Sequence, residues 1–153
     1  MAAFIRRKDS VLLCRRSSGG SQGLWELPGG KLETGETPRE GLVREIREEL
    51  SRFCEPGRLM YDGSLPAGDK QYRFMVFETA LSIAPEASSA HDLLAWVRSD
   101  ELVNYELAPL DVPVLGELMS VDGPGLEIRT MDQGYQGIYS PMQDIVTDKD
   151  FPV

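Results

Sequence analysis

The segment that begins at Thr37 constrains the fold most, because it carries a complete start signal for a helix. Thr37 can act as the N-cap, Pro38 takes the first helical position, and Glu40 follows the cap by three residues. This combination is a capping box with proline at its preferred site. It predicts a helix from Pro38 to about Phe53.

The predicted helix has two faces of different character. Three hydrophobic residues recur at helical spacing and should pack against a sheet: Val43, Ile46 and Leu50. Three carboxylates share another face at positions i, i+3 and i+4: Glu45, Glu48 and Glu49. Like charges at this spacing weaken a helix slightly. From the helix alone, a solvated charged face and a functional acidic face both remain open.

The pattern around this helix predicts a layered α/β (α+β) domain. Strands are expected over residues 2–8, 10–16, 57–65, 71–83 and 93–97, with a tight turn at Lys8 and Asp9. Residues 84–92 are expected to be a loop and residues 109–120 a second helix. The domain should cover residues 1–120. Residues 121–153, rich in Gly, Pro, Asp and Gln, are expected to form a C-terminal extension of unknown role.

Composition excludes several classes of protein. The net charge of −9 disfavours binding to duplex nucleic acid, which needs a basic face. No apolar run approaches the roughly 20 residues of a membrane span, and no secretory signal is visible, so we expect a cytoplasmic protein without membrane contact. The two cysteines and the single histidine do not suit a disulfide framework or a zinc site, and Cys14 should be a small buried residue.

A longer pattern surrounds the acidic helix at fixed spacings. Gly30 is followed after five residues by Glu36, and after seven more by Arg44-Glu45-Ile46-Arg47-Glu48-Glu49. This pattern resembles the Nudix box, and the resemblance extends over about residues 2–120. It implies the fold of that family, a mixed β-sheet sandwiched between helices. The branch that it resembles most is that of the MutT-like nucleoside triphosphate pyrophosphohydrolases.

The resemblance implies a metal site made of oxygen donors, which suit Mg²⁺ or Mn²⁺. The expected ligands are the carboxylates of Glu45, Glu48 and Glu49 and the carbonyl of Gly29 or Gly30. The metal would neutralise phosphate oxygens and acidify a water that attacks phosphorus. We expect Glu45 to be the base and Arg44 to hold it in place. Glu36 is expected to contact Arg44 or to brace the loop.

The sequence departs from the family pattern at two positions. Ser51 replaces the glycine that ends the helix, so we expect a shifted helix end. Ala90 stands where MutT-like relatives place a further metal carboxylate. Glu86, His91 and Asp92 are the candidates to replace it, unless the site has fewer ligands. A hydrogen-bonded structural role is equally open for His91.

Four residues are candidates for substrate contact: Arg16, Trp25, Lys70 and Asp111. By resemblance, Arg16 would bind phosphate, Asp111 would read the base, and Lys70 would reach the substrate. Trp25 suits stacking on a base, with core packing as the alternative. For Arg16 the alternative is a surface charge at the end of a strand, and for Asp111 it is a helix N-cap.

These observations imply hydrolysis of a nucleoside triphosphate (NTP or dNTP, oxidised forms included) to the monophosphate and pyrophosphate. One alternative is another diphosphate, such as a nucleotide sugar, a dinucleoside polyphosphate or an RNA 5′ end. A second is a catalytically silent Nudix binding domain, and a third is an unrelated domain with an acidic helix. The partner would be a small nucleotide-type molecule, and the choice between monomer and homodimer stays open.

Overall fold

The structure, a computed structural model, describes residues 1–119. Its strands are β1 (Ala2–Phe4), β2 (Arg6–Arg7), β3 (Ser10–Arg16), β4 (Trp25–Glu26), β5 (Cys54–Ala67), β6 (Lys70–Leu81) and β7 (His91–Arg98). Its helices are α1 (Pro38–Leu50), a 3-10 helix (Ser99–Asn104) and α2 (Asp111–Leu118). Within this described range, no helix is both long and apolar enough to cross a membrane. The expected extension over residues 121–153 lies outside the described residues.

The strands form two sheets, and the chain passes from one to the other at Ile5. In the first sheet, β6 pairs in parallel with β1 and antiparallel with β5. In the second, β3 pairs antiparallel with β2, β4 and β7. The single strand predicted over residues 2–8 is therefore wrong. Alternation along a sequence indicates an extended chain, but it does not reveal which strand becomes the neighbour.

Helices cover opposite faces of the sheets. Successive side chains of β1 and β3 point to opposite sides and therefore contribute to two different hydrophobic clusters. On the α1 side, one cluster combines Ala3, Ile5, Leu12 and Cys14 with Leu42, Ile46 and Leu50. On the α2 side, another combines Phe4, Val11 and Leu13 with Val112, Val114 and Leu115. The expected sandwich of mixed β-structure between helices is confirmed, although the strands divide into two sheets. The expected burial of Cys14 is also confirmed.

The start of α1 is confirmed, and its expected end is wrong. Thr37 Oγ1 accepts the N–H of Glu40 at 3.4 Å, and the Glu40 carboxylate accepts the N–H of Thr37 at 2.9 Å. The helix ends at Leu50 instead of Phe53. Ser51 adopts the left-handed conformation (φ 52°, ψ 41°) that glycine takes most easily. The serine thus caps the helix at the glycine's place, and the helix end is not shifted.

The buried face of α1 also differs from the predicted one. Leu42 is buried together with Ile46 and Leu50, whereas Val43 is 36% exposed. The expected packing of Val43 is therefore wrong, because the buried stripe runs at i, i+4 and i+8. Glu49 lies beside this stripe and is buried with it.

Two element boundaries near the site were also predicted wrongly. His91 and Asp92 belong to β7, so the loop expected over residues 84–92 ends earlier. β7 starts there because Arg16 of β3 pairs with His91, which the polar sequence does not reveal. The second helix begins at Asp111 instead of Pro109, and Leu110 takes the N-cap position.

Candidate active site

The acidic side of α1 places three carboxylates near the turn formed by Gly29 and Gly30. Glu45 packs against Gly30, since a Cβ atom on Gly30 would lie 2.3 Å from Glu45 Oε1. Glu49 Oε2 accepts the backbone N–H of Gly29 at 3.1 Å. The side chain of Glu48 is 60% exposed. The site therefore runs from a buried carboxylate, Glu49, to one that faces solvent.

In the Gly29-Gly30 turn, position 29 needs glycine because its backbone approaches the neighbouring backbone closely. Gly29 has φ 148°, and a Cβ atom there would lie 2.4 Å from the carbonyl oxygen of Met1. The N–H of Gly30 donates to that same carbonyl at 3.0 Å. The Gly30 carbonyl accepts the α-amino group of Met1 at 2.8 Å. The turn is thus held against the start of β1 on one side and against the α1 carboxylates on the other.

Arg44 connects the loop before α1 to the acidic side of the helix. Its Nε donates to Glu36 Oε1 at 2.7 Å, and its Nη2 donates to Glu36 Oε2 at 3.1 Å. Its Nη1 lies 3.1 Å from Glu45 Oε1 and 3.4 Å from Glu48 Oε2. The hydrogen bonds from Arg44 lower the pKa of Glu36. The bidentate pair with Glu36 fixes the guanidinium, and the guanidinium in turn orients Glu45.

Glu49 is the most buried of the three carboxylates. Burial, together with the negative charges of Glu45 and Glu26, raises the pKa of Glu49 to about 7. His91 and the N–H of Gly29 act in the opposite direction. Clustered carboxylates of this kind favour a cation that neutralises them.

The sequence-based interpretation missed Glu26, a buried carboxylate whose charge acts on Glu49. Glu26 Oε1 accepts Arg16 Nε at 3.0 Å and lies 2.7 Å from Arg16 Nη2. His91 Nε2 lies 3.0 Å from the same oxygen. Burial alone would raise the pKa of Glu26, but the hydrogen bonds from His91 and Arg16 outweigh it and lower that pKa. The available signal was a glutamate between two hydrophobic residues, Trp25 and Leu27, in an extended segment.

A family model described as the NUDIX domain matches residues 1–118. The chain belongs to the Nudix hydrolase family. It is 32% identical over 122 residues to CTP pyrophosphohydrolase of Escherichia coli, and the match covers 79% of this chain and 90% of the E. coli protein. A MutT-like protein of Streptomyces ambofaciens is 32% identical over 133 residues, or 86% and 82% of the two chains. The crystal structure of a MutT Nudix hydrolase from Burkholderia pseudomallei superposes with a TM-score of 0.66 at 28% identity, covering 74% and 92%.

Nudix hydrolases in general need divalent metal ions, and the donors in this site suit one. Carboxylate and carbonyl oxygens are the ligands that hard cations prefer. Among residues 1–119, no three His, Cys, Asp or Glu side chains already lie close enough together to hold a metal ion. Glu45 and Glu48 face Arg44 instead, and Glu49 faces the N–H of Gly29. The donor chemistry of these side chains fits a divalent cation.

The candidates for the carboxylate missing at Ala90 mostly have other partners. Both oxygens of Asp92 accept hydrogen bonds from Arg15, at 2.8 and 2.9 Å. His91 contacts protein groups through both ring nitrogens and is buried. Glu86 is exposed in the loop before β7. The geometry of His91 favours its structural interpretation over a role as metal ligand.

The structure places the four predicted substrate residues in different surroundings. Arg16, at the end of β3, is paired with Glu26 and remains 40% exposed. Trp25 packs edge-on against Tyr105, with 5.0 Å between ring centroids. Lys70 begins β6 and is exposed next to the turn of the β5–β6 hairpin.

Asp111 is deeply buried, and its surroundings differ from those expected of a helix cap. Its Oδ1 accepts the backbone N–H of Leu27 at 2.9 Å. The N-cap alternative for Asp111 is wrong, because Asp111 is the first residue of α2. Burial raises the pKa of Asp111 to about 8, so near neutral pH this side chain can carry a proton.

Proposed function

We propose that this Nudix hydrolase uses Mg²⁺ or Mn²⁺ to hydrolyse a nucleoside triphosphate to the monophosphate and pyrophosphate. The observation that carries the proposal is the placement of Glu45, Glu48 and Glu49 along one side of α1, next to the Gly29-Gly30 turn. The name of the E. coli relative, CTP pyrophosphohydrolase, supports the triphosphate and the position of cleavage.

In the proposed reaction the residues of the Nudix box have different roles. Glu45, Glu48, Glu49 and a carbonyl of the turn would hold the cation, which supplies charge neutralisation at phosphate and a more acidic water. Glu45 takes the proton of the attacking water, the new P–O bond forms, and the bond to the departing pyrophosphate breaks. Arg44, fixed by Glu36, keeps Glu45 directed at the site.

The proposed contacts to substrate come from elements other than α1, namely β3, β4, β6 and α2. Arg16 would bind a phosphate through the part of its guanidinium that Glu26 does not occupy. Asp111 would read the base from its place beside the N–H of Leu27. Trp25 and Lys70 are the more peripheral candidates, for stacking and for charge respectively.

A second candidate substrate class is supported by a shorter match. Human NUDT18, named an 8-oxo-dGDP phosphatase, is 42% identical over 60 residues, which is 39% of this chain and 19% of that protein. An oxidised nucleoside diphosphate is therefore the first alternative to test. The departure from the family pattern at Ser51 does not by itself support a catalytically silent domain, because Ser51 ends α1 at the place of the family glycine.

The experiment is a substrate panel with purified protein and Mg²⁺ or Mn²⁺. The panel contains nucleoside triphosphates, oxidised nucleoside di- and triphosphates, nucleotide sugars, dinucleoside polyphosphates and capped RNA. At least one triphosphate should release pyrophosphate, and release should stop when the metal is chelated. Turnover of sugars or dinucleotides alone would contradict the triphosphate, and no turnover at all would favour a silent domain.

Two variants and a matched control assign the activity to α1. Glu48→Gln or Glu49→Gln should reduce pyrophosphate release by at least about 100-fold, because each removes a charge needed to hold the metal. Glu55→Gln changes an exposed glutamate in β5 and should leave release unchanged. Equal activity of all three variants would place the catalytic groups elsewhere.

A further inference from the structure

We propose that Glu26 is a positioning residue that fixes Arg16 relative to the carboxylates of α1. The inference rests on the proposed function, in which Arg16 binds a phosphate of the substrate. It gives a role to Glu26 and to His91, the single histidine of the chain. Neither residue takes part in the proposed metal binding or proton transfer.

The geometry around Glu26 concentrates its contacts on one oxygen. Glu26 lies in β4 opposite Cys14 of β3 and is 9% exposed. Oε1 accepts Arg16 Nε at 3.0 Å, while Arg16 Nη2 and His91 Nε2 lie 2.7 and 3.0 Å away. A carboxylate removed from water in this way is stable only while charged or N–H partners surround it. Arg16 is therefore not a loose surface arginine, because its orientation is coupled to that of Glu26.

His91 is itself fixed on its other side. Its Nδ1 lies 2.9 Å from Ser88 Oγ, and that hydroxyl oxygen accepts the N–H of Ala90 at 3.3 Å. Because an ionised carboxylate can only accept, Nε2 of His91 donates to Glu26, while Nδ1 shares a hydrogen bond with the Ser88 hydroxyl. The imidazole of His91 thus connects Ser88, in the preceding loop, to Glu26.

Residues 88–90, the part of the loop just before His91, are anchored to the end of α1. Ser89 Oγ donates to the carbonyl of Glu48 at 2.8 Å, and the N–H of Ser89 donates to the carbonyl of Glu49 at 2.8 Å. The carbonyl of Ala90 accepts the hydroxyl of Ser17 at 2.8 Å. Hydrogen bonds and the backbone of residues 88–90 therefore together link the carbonyls of Glu48 and Glu49 to Arg16.

This link has a consequence for binding. Glu26 occupies Nε and Nη2 of Arg16, whose side chain is still 40% exposed, so the guanidinium keeps donors for a ligand. A guanidinium held in advance loses less freedom when it binds phosphate. Loss of Glu26 should therefore weaken substrate binding through Arg16 and leave the chemical step at α1 nearly unchanged.

The test is a double-mutant cycle on Glu26 and Arg16 with the best triphosphate of the panel. Glu26→Gln keeps the shape but removes the charge, and it should raise KM by about tenfold with kcat within about threefold. Arg16→Ala should raise KM at least as much. The double variant should be no worse than Arg16→Ala alone, because Glu26 acts through Arg16.

The control compares another arginine–carboxylate pair. Asp62→Asn disrupts the pair in which both oxygens of Asp62 accept Arg73 at 2.8 Å on the β5–β6 hairpin. It should leave KM and kcat unchanged. Glu26→Asp, which keeps the charge, should have a KM between those of wild type and Glu26→Gln. Thermal midpoints are measured for all variants, since a merely structural role would lower them without a selective effect on KM.

Each outcome separates this inference from the proposed function. Multiplicative KM effects in the double variant, or an unchanged KM in Glu26→Gln, would overturn the role of Glu26 even if the enzyme is active. If wild type does not turn over, the same cycle is measured as Kd for a non-hydrolysable nucleoside triphosphate. Coupling in Kd supports the inference while the hydrolysis fails, and additivity or absence of binding overturns it. If Glu26→Gln does not fold, Ser88→Ala should show the same coupling at smaller size.

Discussion

Gly29 and Gly30 are adjacent residues, yet a side chain would meet different obstacles at each. A Cβ atom on Gly29 would lie 2.4 Å from the Met1 carbonyl and 2.7 Å from the Cα of Ala2, both backbone atoms. On Gly30 it would meet the carboxyl end of Glu45, which can rotate away. Gly29→Ala should therefore lower the stability of the fold, whereas Gly30→Ala should keep the fold and displace Glu45. Thermal melts and metal-dependent turnover of both variants measure the difference.

The magnitudes follow from the nature of each obstacle. Gly29→Ala should reduce the free energy of unfolding by about 2 kcal/mol or more, since the backbone must shift and its φ of 148° is strained for alanine. Gly30→Ala should lower turnover by at least about tenfold with a much smaller effect on the melt. Gly20→Ala, where nothing lies within 4 Å, is the control for both. A Gly30→Ala enzyme with full turnover would show that Glu45 is not needed where it now lies.

Asp111 makes the stability of the protein depend on pH. Burial raises its pKa to about 8, against about 3.9 in an unfolded chain. Between these values the unfolded chain releases a proton that the folded protein keeps, so the free energy of unfolding falls as pH rises. It should level off above about pH 8. The charges that act on Asp111 include those of Glu26 and Arg16, which oppose each other.

Asp111→Asn isolates this contribution, because its amide oxygen can still accept the N–H of Leu27. Urea melts at pH 5 and pH 8 should show that wild type loses at least about 1 kcal/mol more than the variant over this range. Glu49 shifts in the same direction but is present in both proteins, so it cancels in the comparison. Parallel pH profiles would mean that Asp111 is ionised in the folded protein.

At the scale of the element, α1 is capped by Ser51, a residue that adopts its left-handed conformation less easily than glycine does. Ser51 has φ 52°, and a residue with a Cβ atom loses roughly 1 kcal/mol in this left-handed region relative to glycine. Ser51→Gly should therefore raise the free energy of unfolding by about 1 kcal/mol, seen as a higher urea midpoint with an unchanged slope. Ser51→Ala carries the same strain and should give no gain. A gain in the alanine variant would locate the effect in the serine hydroxyl instead.

The elements also show what could be predicted from the sequence. The start of α1 was predictable because its signals, Thr37, Pro38 and Glu40, lie within one turn of each other. The contact of Arg44 with Glu36 was predictable through a family pattern that also has a short span. Such local patterns encode local geometry. The passage of the chain between sheets at Ile5 depends on strand partners far along the sequence, and no pattern in the sequence indicated it.

The same reason explains what was missed in the site. Glu26 and His91 are 65 residues apart in the chain and meet only because β4 and β7 both pair with β3. His91 was expected in a loop, where a role as metal ligand was open. Its place at the start of β7 turns it toward Glu26. Residues that act through a tertiary contact become visible only once the strand order is known.

At the scale of the whole molecule, the position at which the catalytic domain ends can be tested by truncation. We propose that residues 1–120 form the domain, because the family match ends at residue 118 and α2 contributes Val112, Val114 and Leu115 to the core. A chain that stops after Ser120 should keep metal-dependent turnover, with a melting midpoint within about 4 °C of the full chain. A chain that stops after Leu110 should not fold, since each large hydrophobic residue lost from a core removes roughly 2–5 kcal/mol. If the chain ending at Ser120 folds but loses turnover, residues 121–153 contribute to the site and the proposed boundary is wrong.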